Sequence, residues 1–292
     1  TPNKRLSSTA GIPIINTRRF IMVRGWYTGA SGMNAQQKRL DAISNNLANV
    51  DTTSYKRDIS VSKNFPELLL RRMEDDGVYR NPFGSADAAP IIGKVGLGVE
   101  LNELFTDFQQ GSYKPTGNGT DMALEGKGFF AVETPYGERY TRNGNFSIGV
   151  EGYLETKEGY PVLGENGRLF LQDMNFTVNK NGEVWVHPIT DPDADPVLID
   201  RLRVCTFEND RYISKQGSSL YKDTPVSGPA VPAEGPDRPA VTQGFIETSN
   251  VNVVNEMVQM IEVNRAYEAN QKTIQASDTM MSKLWAEVVR IK

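Results

Sequence analysis

After Gly244 the chain has no glycine and no proline as far as Lys292. A run of about 40 residues without either breaker predicts one helix of ~60 Å. Within it Val253, Met257, Met260, Tyr267, Ile274, Met281, Trp285 and Val288 fall on an alternating three-and-four spacing, and Asn264, Gln271 and Asp278 fill the gaps in the same series. That pattern predicts a coiled-coil seam with polar layers. Asn252 is placed to cap the helix, with Glu256 suited to its positive end. An uncovered stripe of this length would be a large exposed patch, which monomeric soluble proteins rarely keep. Whatever else the chain does, something has to cover this helix.

A second periodic segment stands near the other end. From about Ser31 to Val50, the residues Met33, Leu40, Ile43, Leu47 and Val50 lie near one face of an amphipathic helix of roughly 20 residues. Gly29 and Gly32 loosen its start, and the turn chemistry of "DTTS" (51–54) stops it. Asn45, Asn46 and Asn49 crowd its flank, although asparagine is a poor helix former with donors and an acceptor to satisfy. At half the length of its counterpart, this helix can cover only part of the longer stripe. The remainder then meets another subunit or another protein, or stays disordered.

Between the helices the pattern is β. "NGNFSI", "EGYLET", "EGYPVL", "NGRLFL" and "NGEVWV" place glycine turns before short apolar runs, the hairpin signal of an antiparallel meander or small barrel over residues 126–244. The fold class is therefore α+β, with paired terminal helices and a central antiparallel β-domain. Residues 22–60 and 245–292 form the helical domain, 61–125 an extended connecting region, and 223–241 a proline-rich linker, too rigid and polar for a strand pair. "FPELLLRRMEDD" (65–76) reads as a short helix after Pro66. Residues 1–21 read as a disordered extension or an artefact of the chosen start, and nothing there resembles a cleaved secretory signal.

Composition removes several function classes. With 32 Lys+Arg against 36 Asp+Glu, and no long basic block, a nucleic-acid surface is not indicated. No apolar run reaches transmembrane length. The single cysteine, Cys205, and the single histidine, His187, both sit in strand-like contexts and read as structural residues. "GKVGLGVE" (93–100) lacks the order of a phosphate loop, and "DPDADP" (191–196) has Pro196 and Leu202 where a calcium loop needs glycine and glutamate. The sequence assigns no catalytic, cofactor or metal site.

Three classes stay open: an assembly subunit, a coiled-coil adaptor for some other partner, and an enzyme built on the β-domain. The polar layers in the seam favour the first two, because a buried amide costs stability and fixes register and partner number. The packing residues are then Met33, Leu40, Ile43, Asn45, Asn46, Leu47, Asn49 and Val50 on the first helix, and the series from Val253 to Val288 on the second.

Those same residues carry a resemblance. "YTGASGMNAQQKRLDAISNNLANVDTTSYKRD" (27–58) closely resembles the amino-terminal signature of the bacterial flagellar rod and hook proteins. "QGFIETSNVN" (243–252) and "EMVQMIEVNRAYEANQKTIQASDTMMSKL" (256–284) resemble the family's carboxy-terminal helix and its approach. "GKGFFAVETPYGERYTRNGNFSIGVEGYLETKEGYPVLG" (126–164) resembles its central β-domain. The resemblance covers nearly all of 22–292 and is nearest the proximal rod type, with the distal rod type as the alternative.

It implies a structural subunit that self-assembles through its terminal helices into a hollow shaft carrying torque from motor to hook. It also implies copies of the chain and other rod proteins as partners, passage through the flagellar type III export apparatus, and a periplasmic place in the basal body. Neighbouring subunits would cover the amide flank at 43–49, and the terminal helices would be largely unfolded in the free subunit, since ordering a residue costs about 1–2 kcal/mol.

Overall fold

A computed structural model describes residues 18–71, 78–81, 84–87, 91–171, 175–187, 195–217, 219–235 and 238–290. Two long helices, α1 (Arg18–Ala48) and α2 (Val253–Arg290), bracket a set of strands paired in antiparallel ladders. The α+β class therefore holds. The chain divides into two units, one of residues 1–38, 62–102 and 263–292, the other of residues 39–61 and 103–262.

The second unit holds the β core. Six strands lie in the order Ser214–Lys215, Leu220–Lys222, Gly137–Thr141, Phe129–Thr134, Val204–Thr206 and Val231–Pro232. Alternate residues of Phe129–Thr134 face opposite sides. Phe130 and Val132 join one buried cluster with Met122, Leu154, Leu202 and Val241, and Phe129 and Ala131 join a second with Tyr140, Cys205 and Tyr221. Both faces of this strand are covered, which is why "FFAV" is apolar without alternation. Phe129 sits edge-on to Phe108, Phe207 and Tyr221, with ring centroids 5.3–5.5 Å apart. A three-stranded sheet of Asn175–Val178, Glu183–His187 and Val197–Arg201 lies in the same unit. Its first turn is the Asn181-Gly182 hairpin read from the sequence, with Gly182 at φ 77° where a side chain would be strained.

Several expectations are corrected. Helix α1 begins at Arg18, well before Ser31, so residues 18–21 of the expected extension are helical, while 1–17 lie outside the described residues. The helix expected at 65–76 is instead a strand, Leu68–Arg71, paired with Ile91–Val95; residues 72–76 lie outside the described set. A strand partner overrides local helix propensity here. Part of the proline-rich stretch also pairs, with Val231–Pro232 on the edge of the six-stranded sheet against Cys205 and Thr206. Pro232 is tolerated because an edge strand does not need every donor. Residues 122–125, expected among the connecting residues, pair with 240–243 inside the core. His187 ends a strand and Cys205 is fully buried. Of "DPDADP", residues 191–194 lie outside the described residues.

Candidate assembly site

Helix α1 stops at Ala48, and the chain turns through residues 49–54. Ser54 adopts a left-handed backbone (φ 56°), and its amide donates to the Glu247 carbonyl at 2.8 Å. Around it, successive residues reach different segments. Thr53 Oγ1 donates to Asn143 Oδ1 at 2.9 Å. Lys56 Nζ donates to Glu247 Oε1 at 2.6 Å and to the Gln109 carbonyl at 2.9 Å. The Arg57 amide donates to Asn250 Oδ1 at 2.9 Å, and its Nε to Asp107 Oδ2 at 3.1 Å. Lys215 Nζ closes the group from the six-stranded sheet, donating to the Lys56 carbonyl at 2.7 Å and to Asp58 Oδ1 at 2.8 Å.

The asparagine flank belongs to this junction. Asn46 is 2% exposed. Its Nδ2 donates to the Asp58 carbonyl at 2.9 Å, while its Oδ1 accepts the Asp58 amide at 2.8 Å and the Tyr55 hydroxyl at 3.3 Å. A side-chain amide thus does for the first residue of the strand Asp58–Asn64 what a neighbouring strand does for the rest. Asn49 Nδ2 donates to the Asn45 carbonyl at 2.9 Å and Asn45 Oδ1 at 3.1 Å, and its Oδ1 accepts Thr52 Oγ1 at 3.3 Å, closing the last turn of α1. Asn45 is exposed and accepts the Tyr55 hydroxyl at 2.9 Å.

Glu247 is the buried centre. Its second carboxylate oxygen accepts Arg142 Nε at 2.8 Å, and Oε1 also accepts the Gly111 amide at 2.9 Å. The remaining guanidinium nitrogens of Arg142 donate to the carbonyls of Gly128, Gly126 and Leu124 at 2.6, 2.6 and 3.1 Å. Burial alone would raise the Glu247 carboxyl, but the Arg142 and Lys56 cations outweigh it and hold the group below the usual carboxylate range. Burial pushes the Lys56 amine below the usual lysine value, with Glu247 opposing. Burial likewise raises the Tyr55 phenol and lowers the Lys215 amine.

The helices meet through small residues. In the unit that holds residues 1–38 and 263–292, a Cβ added to Gly29 would lie 2.8 Å from Ile274 Cγ1, one on Gly32 2.9 Å from Asn270 Nδ2, and one on Gly25 3.8 Å from Ser277 Oγ. The partners run in opposite order, so the two segments are antiparallel and nearly in backbone contact. On α2 the buried or half-buried positions are Val253, Glu256, Gln259, Met260, Val263, Ala266, Tyr267, Asn270, Ile274, Ser277 and Met281. Asn252 caps the helix as expected, its Oδ1 accepting the Asn255 amide at 3.1 Å.

Relatives of this architecture are found among flagellar proteins. Residues 27–56 match the family described as flagella basal body rod protein, 242–285 the flagellar basal body rod FlgEFG protein C-terminal, and 123–186 the flagellar hook protein FlgE/F/G D1 domain. The flagellar basal-body rod protein FlgG of Borreliella burgdorferi is 36% identical over 268 residues, spanning 89% of this chain and 97% of its own. The FlgG of Buchnera aphidicola subsp. Schizaphis graminum is 35% identical over 271 residues, 90% and 99% of the two chains. The chain belongs to the flagellar basal-body rod protein family. A Bacillus subtilis flagellar hook-basal body complex protein, FlhO, is 34% identical over 285 residues, 92% of this chain and all of its own.

In this rod-family chain the segments matching the two terminal models supply both sides of the junction, Lys56 from the first and Glu247 from the second. The packing positions read from the sequence divide. Ile43 is buried, and Met33, Leu40, Leu47 and Val50 are half-buried. On α2, Val253, Met260, Tyr267, Ile274 and Met281 lie on the covered stripe, but Met257, Asn264, Gln271, Asp278, Trp285 and Val288 are exposed. The covered stripe takes Glu256, Val263, Asn270 and Ser277 instead, one residue earlier at every second position. At the glycine face of α1 the close partners are Asn270, Ile274 and Ser277, which sets Gln271 and Asp278 outside the contact. Among the described residues no helix is long and apolar enough to cross a membrane.

Sequence reading missed Glu247, Arg142 and Gly111. Each is ordinary in its local context, and only the fold brings them together. A cluster of Lys56, Arg57 and Asp58 directly after an amphipathic helix was the available hint.

Proposed function

We propose that this rod subunit self-assembles through its terminal helices, paired in coiled-coil fashion, into a hollow shaft that carries torque from motor to hook. Its partners are copies of itself and other rod proteins. It reaches its periplasmic place in the basal body through the type III export apparatus, and its role is structural, not catalytic. One observation carries the assembly reading. Val254, Met257, Val258 and Ile261 recur at i, i+3, i+4 and i+7 on α2, 48–69% exposed, on a helix whose other side is buried at Glu256 and Val263. A helix covered on one side and apolar on the other is built for a second contact.

Within the family it is of the proximal rod type, with the distal rod type as the alternative, and localisation in purified basal bodies distinguishes them. The test of assembly is the double substitution M257E/I261E in a strain that depends on this chain for swimming. The purified variant keeps the unfolding midpoint of the parent, is lost from basal bodies, and leaves cells non-motile. Normal incorporation and swimming would overturn the reading, and an adaptor role would then explain the exposed face.

A further inference from the structure

We propose that the Glu247 carboxylate is a latch that makes docking of both chain ends onto the β-domain all-or-none. Four segments far apart in sequence converge on it: Lys56 after α1, Gly111, Arg142 in the loop after the strand Gly137–Thr141, and Glu247 itself in the approach to α2. The Lys56 and Glu247 side chains are each 1% exposed and that of Arg142 is 6%. Every donor and acceptor direction named above is filled by protein, so the group is complete only when all four segments are in place.

The choice of charges matters. A buried ion pair often adds little net stability over well-packed apolar residues, whereas removing one partner is strongly destabilising because it strands the other. An apolar joint loses strength gradually as one segment peels away. This joint instead leaves a buried lysine and arginine without the carboxylate that both of them pair with. Docking of the segment after α1, of the approach to α2 and of the Arg142 loop is therefore coupled through one carboxylate, whatever else holds each of them. The latch belongs to the folding of a single chain and holds whether or not the subunit assembles as proposed above.

Three amides report on it directly: Ser54, which donates to the Glu247 carbonyl; Gly111, which donates to its carboxylate; and Thr248, which donates to the Ser112 carbonyl at 2.8 Å. In the unaltered protein, native-state hydrogen exchange with increasing denaturant gives all three the same opening equilibrium and the same denaturant slope. Three independent openings would overturn the proposal. E247Q, nearly isosteric and neutral, lowers the protection of all three by roughly 100-fold or more. The strand amides of Ala131 and Leu163, which bond only within the β-domain, change by a few-fold at most. A uniform loss across the protein, including outright failure to fold, would overturn a local latch, as would unchanged exchange at Ser54 and Thr248. K56M supplies a second arm: it lowers protection in the parent but raises it in E247Q, because it removes one of the two stranded cations. Additive effects would refute the coupling.

Discussion

Replacing Asn46 tests how the junction is built. In N46A the helix keeps a residue of better propensity, so on local grounds the change is favourable. The fold says otherwise. The Asp58 amide and carbonyl, now satisfied at 2.8 and 2.9 Å by one side chain, both lose their partner in a part-buried place that a methyl cannot fill. A hydrogen bond is worth about 1 kcal/mol net, and an orphaned buried group costs about 1–3 kcal/mol, so the loss comes to about 2–4 kcal/mol. For a domain of this size, that lowers the melting temperature by about 5–10 °C. N45A removes an exposed amide whose only contact beyond its own helix turn, the Tyr55 hydroxyl, still has Asn46, and it changes stability by about 0.5 kcal/mol or less. N49A falls between, at about 1 kcal/mol. N46D is the sharper control: its carboxylate keeps an acceptor for the Asp58 amide but sets an oxygen against the Asp58 carbonyl, so it is at least as damaging as alanine at neutral pH. Thermal and urea unfolding of the four variants give the order. If N46A and N45A coincide, the amide is not what docks the helix on the strand.

Two further outcomes follow from the same geometry. Gly29 to alanine stabilises an exposed helix by about 1 kcal/mol, but here the new Cβ meets Ile274 at 2.8 Å, so G29A loses about 1–3 kcal/mol and I274A in the same chain recovers part of it; a stabilised G29A would mean the helices do not meet there. Glu247 is a carboxyl held below its ordinary value of 4.5 by Arg142 and Lys56 against the opposing effect of burial, so its stabilisation is complete above that value and disappears as pH falls through the depressed folded value. Denaturant unfolding from pH 7 to pH 3 should show a decline below about pH 4.5 that is shallower in E247Q; parallel declines would locate the acid sensitivity elsewhere.

What could be read from the sequence were features a segment carries by itself. The length of α2 follows from the missing glycine and proline, its start from Asn252, and the hairpin of Asn175–Val178 with Glu183–His187 from its Asn181-Gly182 turn. What could not be read were choices made by a partner. Periodicity alone placed Gln271 and Asp278 in the seam; along this part of α2 the covered stripe is set by fit to Gly25, Gly29 and Gly32, which takes Asn270, Ile274 and Ser277. The two glycines read as loosening the start of α1 instead allow the close approach. Leu68–Arg71 has the composition of a helix turn and becomes a strand because Ile91–Val95 pairs with it. Glu247 lies 191 residues from Lys56 and 105 from Arg142, distances across which no local pattern carries a signal.

The division of residue types on α2 has a physical logic of its own. The contact that forms within the chain sets glycine, serine, asparagine and a buried glutamate among Met260, Val263, Tyr267, Ile274 and Met281, so close geometry decides how well it packs. The face left over uses Val254, Met257, Val258 and Ile261, whose attraction is roughly proportional to buried area and indifferent to direction. The intrachain contacts hold α2 against α1 on one side, and the apolar face is presented on the other; if those contacts form before association, against the expectation of largely unfolded terminal helices, the face is presented on an ordered helix. Ordering then costs less at the moment of association, since the residues that bind no longer have backbone freedom to lose. That ordering also predicts where helical structure survives in the free subunit: residues 39–48 and 253–262, held at the buried junction, should keep slow amide exchange at concentrations too low for assembly. Fast exchange there would place the folding of these segments after association and reverse the sequence of events.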